Sequence, residues 1–414
     1  MARFQGPRGV PDVLPPDSEL LSEVEAAART LFDRYGYRRI ELPVFESTDV
    51  FERIGSGSDI IVQKEMYTFT DPRGRSLTLR PEGTAGAARA FVERGVAGTT
   101  PLPVRFWYIG PMFRYERPQK GRDRQFFQIG AECIGSASPM IDAELIALMT
   151  QFYEAIDLET ELLLNSIGCV ADRERYGPAL RKALGEKTED LCDNCQQRLA
   201  TNPLRVFDCK VPSDRKIVRD APPISEFLCD DCRTHLGEVQ RVLESLGIAW
   251  KDAPDLVRGL DYYTRTVFEF VVPELGARPA VCGGGRYDGL VEQLGGSPTP
   301  AAGFSVGMTS TLDAVRSKRD PTPWRPDIYV CWLDGLGEIA MATALDLRRA
   351  ARRVIVSDES KPLRVQLKTA DRLGAATAVI LGPDEVARGV ATVRDMASGE
   401  QREVDLRGLV GELA

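Results

Sequence analysis

The spacing of apolar residues changes period several times along the chain, and each change predicts an element. Leu20, Val24, Ala27, Ala28 and Leu31 recur near helical spacing. They predict a helix opened by Asp17 or Ser18 and closed by Gly36. A strand-like run over Ile40–Phe45 follows, then strand, turn and helix in SLTLRPEGTAGAARAF, residues 76–91. VRFWYIGPMFRYE (104–116) and RQFFQIGAECIG (124–135) are long, β-branched and aromatic, and a charged loop with a glycine separates them. That pattern predicts an antiparallel pair with a basic tip.

From Gly168 to Gly247 the texture turns helical and charged. Strand signals return in LVRGLDYYTRTVFEFVV (256–272) and PAVCGGGRYDGL (279–290), with a short helix over Leu290–Leu294. RDPTPWR (319–325) reads as a linker. Beyond it, strands over Asp327–Leu333, Val354–Val356 and Ala378–Leu381 alternate with helices over Glu338–Ala351 and Leu363–Leu373, before a hairpin and a short last helix. Alternation of this kind predicts a small separate α/β domain. The expected fold class is therefore an α+β first domain, with a large antiparallel sheet and a helical insert, joined to an α/β second domain. Boundaries are expected at 1–320 for the first domain, 168–247 for its insert and 325–414 for the second.

Composition narrows the function. The chain has 414 residues, 43% hydrophobic and 28% charged, an ordinary globular balance. Its net charge of -8 excludes a general nucleic-acid coat, so any RNA contact must use local basic surface. No apolar run suits a membrane span, and the proline-broken start has no secretory pattern. With nine cysteines, an odd number, the expectation is a cytoplasmic protein with reduced thiols or metal-bound ones.

Five runs carry candidate chemistry. Between Phe113 and Phe126, the cations Arg114, Arg117, Lys120, Arg122 and Arg124 face only Glu116 and Asp123, a local balance of 5 - 2 = +3. Strand alternation would put Arg114 and Glu116 on one face, a cation for phosphate beside an acceptor for a base amino group, with Phe126 able to stack. A solvated hairpin tip is the plain alternative. Arg80-Pro81-Glu82-Gly83-Thr84 sits at a strand-to-helix turn and either grips an ammonium group or caps the helix. Gln128 and Glu132 share a strand face, where buried polar groups need either a polar ligand or an internal hydrogen bond. LVRGLDYYT and CGGGRYDGL complete the set. The glycine run lacks both dinucleotide and P-loop spacings, and reads instead as backbone passing close under a ligand.

Cys192-x-x-Cys195 and Cys229-x-x-Cys232 lie in the insert, with Cys209 between them. Together the two pairs match one structural four-thiolate Zn²⁺ site, or else they are free thiols. His235, the only histidine, reads as a surface residue and excludes a Ser-His-Asp triad or a histidine-rich metal centre.

FRYERPQKGRDRQF, LTLRPEGTAG, TNPLRVFDCK, LVRGLDYYTRTVFEF and GGGRYDGLVEQLGG together resemble the histidyl-tRNA synthetase family of class II aminoacyl-tRNA synthetases, over nearly the whole chain. The resemblance implies ATP-dependent activation of L-histidine, with Mg²⁺, and transfer to tRNA-His by a homodimer. By the same resemblance Arg114 and Arg258 are catalytic. Arg114, Glu116, Arg122, Phe126 and Arg258 would bind ATP. Glu82, Thr84, Gln128, Glu132, Tyr262, Tyr263 and Tyr287 would bind histidine, and Arg117 and Gln119 would face the tRNA acceptor end. Ser310 stands where the family's third motif has an arginine. That departure keeps a competing expectation open, a paralogue that does not charge tRNA. Such a paralogue is either a histidine-sensing regulatory subunit of ATP phosphoribosyltransferase or an amino-acid-activating homologue.

Overall fold

A computed structural model describes residues 4–55, 65–116, 123–276 and 280–413. The chain divides into two compact units, Met1–Pro321 and Thr322–Ala414.

In the first unit an eight-stranded sheet runs in the order 38–39, 104–113, 125–134, 301–307, 280–286, 264–271, 161–166 and 251–252. Its inner pairs are antiparallel and its two outermost pairs parallel. Period-two alternation divides the side chains between two faces. On strand Gln125–Ile134, Ile129, Ala131 and Cys133 enter the main core, which helices Asp17–Arg34, Pro139–Ala155, Asp230–Ser245 and Met308–Lys318 cover. The alternate residues, Gln128 and Glu132 among them, face the other way, toward helix Thr84–Glu93 and the Tyr262–Tyr263 segment. The long pair 104–113 and 125–134 has Tyr108 opposite Gly130 and Phe106 opposite Glu132.

Some local expectations change. Residues 40–44 form no strand; the strands here are Arg38–Arg39 and Phe45–Ser47, and between them Ile40 N–H donates to Trp107 O (2.8 Å) and Val44 O accepts from Arg80 N–H (2.9 Å). Pro43 lacks the N–H that a ladder needs. Strand Val104–Phe113 ends before Arg114, so strand alternation does not place Arg114 and Glu116. Helix Pro139–Ala155, which starts at the Ser138-Pro139 signal, belongs among the main elements. The insert packs helices Val170–Leu184, Asp193–Thr201 and Pro212–Arg219 around its own core of Tyr176, Leu180, Leu199, Val206 and Val218, while its last helix, Asp230–Ser245, joins the main core through Val239 and Leu243.

The second unit is an α/β layer structure. Strands 354–356, 328–332 and 377–381 are parallel, and 390–395 and 401–405 extend the sheet antiparallel. Ile328 and Val330 pack with Ala340, Ala344 and Leu347 of helix Gly337–Arg349. Tyr329 and Cys331 face the opposite way, with Ala370 of helix Leu363–Arg372.

Candidate functional site

Glu132 is fully buried on the open face of the large sheet. Its Oε1 accepts hydrogen bonds from Thr84 Oγ1 (2.8 Å) and Tyr108 OH (2.9 Å), and its Oε2 from Tyr287 OH. Among the described residues no cation pairs with it. Burial pushes its carboxyl up to about 8, against the opposing pull of those hydroxyls. The strand opposite makes room with glycine: a Cβ at Gly303 would lie 1.9 Å from Glu132 Oε2.

Glu82 closes the pocket from the turn before helix Thr84–Glu93. Its carboxylate accepts the backbone N–H groups of Thr84 (2.7 Å) and Ala85 (2.8 Å), so it does cap the helix, while burial raises its pKa. Arg80 is structural, donating to the carbonyls of Leu42 (2.7 Å) and Pro111 (2.9 Å). The rings of Tyr262, Tyr263 and Tyr287 form an aromatic wall, with centroids 4.8, 5.8 and 6.4 Å apart. Burial pushes the Tyr263 phenol up to about 12, and the phenols of Tyr262 and Tyr287 well above their ordinary value. Among the described residues, Tyr262 OH and Gln128 Oε1 are buried without a hydrogen-bond partner. Such atoms are costly unless a polar ligand completes them.

Arg114, Glu116, Asp123, Phe126, Gly307, Thr309 and Ser310 line a cavity of about 180 Å³. The Arg114 guanidinium lies 5.2 Å from the Phe126 ring centroid, and its Nε donates to Pro81 O (2.9 Å), the residue before Glu82. This contact joins the cavity to the Glu132 pocket. Burial and the nearby Asp313 raise the pKa of Asp123. Ser310 stands in the wall, and Arg114 is the one guanidinium among the described lining residues. Arg316 lines an adjoining cavity that shares Asp123, Phe126 and Thr309, but it is paired with Asp17 (2.7 Å).

Arg258 reaches the pocket from the far side. Its guanidinium pairs with Glu269 and lies 5.6 Å from the Tyr263 ring centroid. What passes over the glycine run is this side chain, since a Cβ at Gly283 would lie 2.1 Å from Arg258 Nη2. Insert residues hold the segment in place: Arg205 donates to Arg258 O (2.8 Å), Asn202 to Asp261 (2.9 Å) and Arg173 to Tyr263 O (2.9 Å). Sequence reasoning missed Tyr108, Glu269 and Arg205. Tyr108 was discoverable from its place in the alternation of its strand; Arg205 was visible only as a letter of TNPLRVFDCK. Arg117, Gln119 and Arg122 lie outside the described residues.

Two expectations are corrected. The cysteine pairs do not converge on one four-thiolate site: Cys229 and Cys232 gather with Cys169 and Asp172, and Cys192 and Cys195 with Cys209 and Asp214. His235 is buried, not superficial, and its Nε2 bonds to the buried Asp142, which also meets Arg286 Nε at 3.1 Å.

Comparison with known proteins gives concordant matches. The family model described as histidyl-tRNA synthetase matches residues 9–310, and that described as anticodon binding domain matches 327–414. A protein of Halothermothrix orenii named histidine–tRNA ligase is 44% identical over 415 residues, covering 99% of this chain and 98% of its own length. One of the same name from Geobacillus kaustophilus is 46% identical over 419 residues, covering 99% and 97%. The crystal structure of apo histidyl-tRNA synthetase from S. aureus matches with a TM-score of 0.84 at 34% identity, covering 99% of this chain and 100% of that one.

Proposed function

The chain belongs to the histidyl-tRNA synthetase family, and from that premise we propose how its residues divide the work of a histidine–tRNA ligase. The enzyme activates L-histidine with ATP to histidyl-adenylate and pyrophosphate, then transfers the histidyl group to tRNA-His. The observation that carries the site reading is Glu132, a buried carboxylate held by three hydroxyls and paired with no described cation. An imidazole N–H, or the imidazolium, supplies the donor and charge that this environment lacks. Apolar analogues would leave Gln128 and Tyr262 unpaired and bring Glu132 no donor beyond its three hydroxyls, which gives steep discrimination. Tyr263 and Tyr287 complete the imidazole wall, and Glu82 with Thr84 meets the α-amino group.

Phe126 stacks on adenine, Glu116 reads its amino group, and Arg114 holds the α-phosphate and the histidine carboxylate. Arg122 reaches the γ-phosphate. Arg258 brings a second guanidinium to the reacting centre, kept in line by Glu269 and by Arg205 behind it. An in-line attack on phosphorus needs this positioning and charge neutralisation more than covalent help. The carboxylate of Asp123 would suit the Mg²⁺ that accompanies ATP, and the ion would add to neutralisation of the triphosphate.

Residues 1–320 form the catalytic domain and 168–247 its insert, while 325–414 read the anticodon. In the last, Arg349, Arg353 and Lys361 pair with local acids, which leaves exposed Arg364 and Lys368, one helical turn apart, as the stronger RNA contacts beside Arg348 and Arg352. Arg117 and Gln119 meet the acceptor end. The homodimer reading is supported by apolar surface at Val44, Phe45 and Phe69. Among the described residues no helix is long and apolar enough to cross a membrane. Charging tRNA is work for the cytoplasm, and that is the location proposed. A paralogue without tRNA charging is not favoured, given the full-length matches and the anticodon-binding domain.

The test is histidine-dependent ATP–pyrophosphate exchange followed by charging of tRNA-His. Both activities are expected. Exchange without charging would return the amino-acid-activating homologue, and neither activity the sensor.

A further inference from the structure

We propose that the helical insert holds two zinc ions in separate sites, each built from three thiolates and one carboxylate. One site is Cys169, Asp172, Cys229 and Cys232; the other is Cys192, Cys195, Cys209 and Asp214. Within each, the four donor atoms lie within 4.8 Å of one another.

The two sites share one plan. Each uses a Cys-x-x-Cys pair whose first cysteine is the N-cap of a helix, Cys229 for Asp230–Ser245 and Cys192 for Asp193–Thr201. The third thiol comes from elsewhere in the chain, and the carboxylate lies shortly after it. In both, that carboxylate accepts the backbone N–H of the N-cap cysteine: Cys229 N to Asp172 at 2.9 Å and Cys192 N to Asp214 at 3.1 Å. This contact aims the carboxylate at the thiols and fixes it there, as outer hydrogen bonds fix metal ligands.

The spacing suits a metal and not a disulfide. All nine cysteines are unpaired, and Cys192 Sγ and Cys209 Sγ stand 3.9 Å apart. A disulfide needs about 2.05 Å. Two thiolates on a tetrahedral zinc, each bonded at roughly 2.3 Å, are separated by roughly 3.8 Å. Asp214 Oδ2 lies 3.4 Å from Cys209 Sγ, and Val211 N–H points at the same sulfur (3.4 Å) as it would at a thiolate.

Charge points the same way. Asp214 is 1% exposed, and among the described residues no Lys, Arg or His pairs with it. A buried carboxylate among three thiols lacks a cation, which a divalent ion supplies. Three soft donors select zinc over magnesium or calcium. At the other site Arg175 meets Asp172 at 2.6 Å and offsets the excess of four anionic ligands over two metal charges.

The sites have a structural role with reach. The first ties the insert's entry at Cys169 to its last helix. The second ties Cys192 and Cys195 to the run that carries Asn202 and Arg205, the residues that hold Asp261 and Arg258.

The test is metal content of the full chain purified under reducing conditions without a metal-affinity column, with zinc K-edge absorption on the same sample. Two zinc ions per chain are expected, with an average shell of three sulfurs and one oxygen. C195S and C232S are each expected to retain one ion and the double variant none, while C331S keeps both. One ion per chain with four sulfurs, lost in either single variant, would restore the single-site reading and overturn this one. So would metal-free protein with all thiols reactive, or disulfides at these positions. The absorption spectrum of the unaltered chain decides the donor set even where a variant fails to accumulate.

Discussion

Two buried carboxylates lie on opposite sides of the large sheet, and they are satisfied in different ways. Asp142, among the helices of the main core, meets the guanidinium of the fully buried Arg286, the imidazole of His235 and the hydroxyl of Thr266 (3.4 Å). Arg286 also donates to the carbonyl of Ser136 and pairs with Asp288. Glu132, on the other face, has hydroxyl donors alone among the described residues. A carboxylate whose partners include cations of the fold is spent on structure. One held by neutral donors alone is fixed in position and keeps a proton up to about pH 8, which a basic imidazole can take up on binding.

Substitutions at the two positions should therefore diverge. D142A removes one of the two carboxylates paired with the buried Arg286, together with the partner of His235, and is expected to cost about 3–5 kcal/mol of stability, read as a lower urea midpoint, with an unchanged KM for histidine in the folded fraction. A raised KM with unaltered stability would erase the distinction. E132Q should do the reverse, leaving the fold intact while lowering kcat/KM for histidine in pyrophosphate exchange by about 100-fold or more, with little change in the KM for ATP. G303A probes the same pocket by volume. Its Cβ collides with the Glu132 carboxylate, so about 1–3 kcal/mol of strain is expected, seen as a lower melting temperature together with weaker histidine binding.

The pH dependence of stability sharpens the contrast further. Folding raises the Glu132 pKa from 4.5 to about 8. Between those values the folded chain holds a proton that the unfolded chain has released, so this group's contribution to stability falls as pH rises. The slope is at most about 1.4 kcal/mol per pH unit. Urea titrations at several pH values across this window should show it in the parent chain and lose it in E132Q. The smallest effect is expected from Y262F. Among the described residues its hydroxyl makes no hydrogen bond of ordinary geometry, so stability should hold while histidine affinity weakens by about 0.5–1.5 kcal/mol. Equal losses in both would mean that the hydroxyl serves the fold.

Much of this was legible in the letters. Alternation on strand 125–134 put Gln128 and Glu132 on one face because a pleated strand permits no other arrangement. The turn Arg80–Thr84 and the α/β rhythm after residue 325 followed from local preferences in the same way. Family motifs named the pocket residues before their contacts were known.

Other features depended on chain segments distant in sequence. The two Cys-x-x-Cys pairs looked like halves of one site because spacing reports only neighbours; Cys169 and Cys209, brought in by the folding of the insert, split them into two. His235 looked superficial as a lone polar residue, and became internal because Asp142, ninety-three positions away, met it there. Arg114 and Glu116 share a cavity through the path of a loop, not through strand periodicity. Period and propensity act over a few residues and are written locally. The partner of a buried charge is fixed by packing, which no single stretch of chain contains.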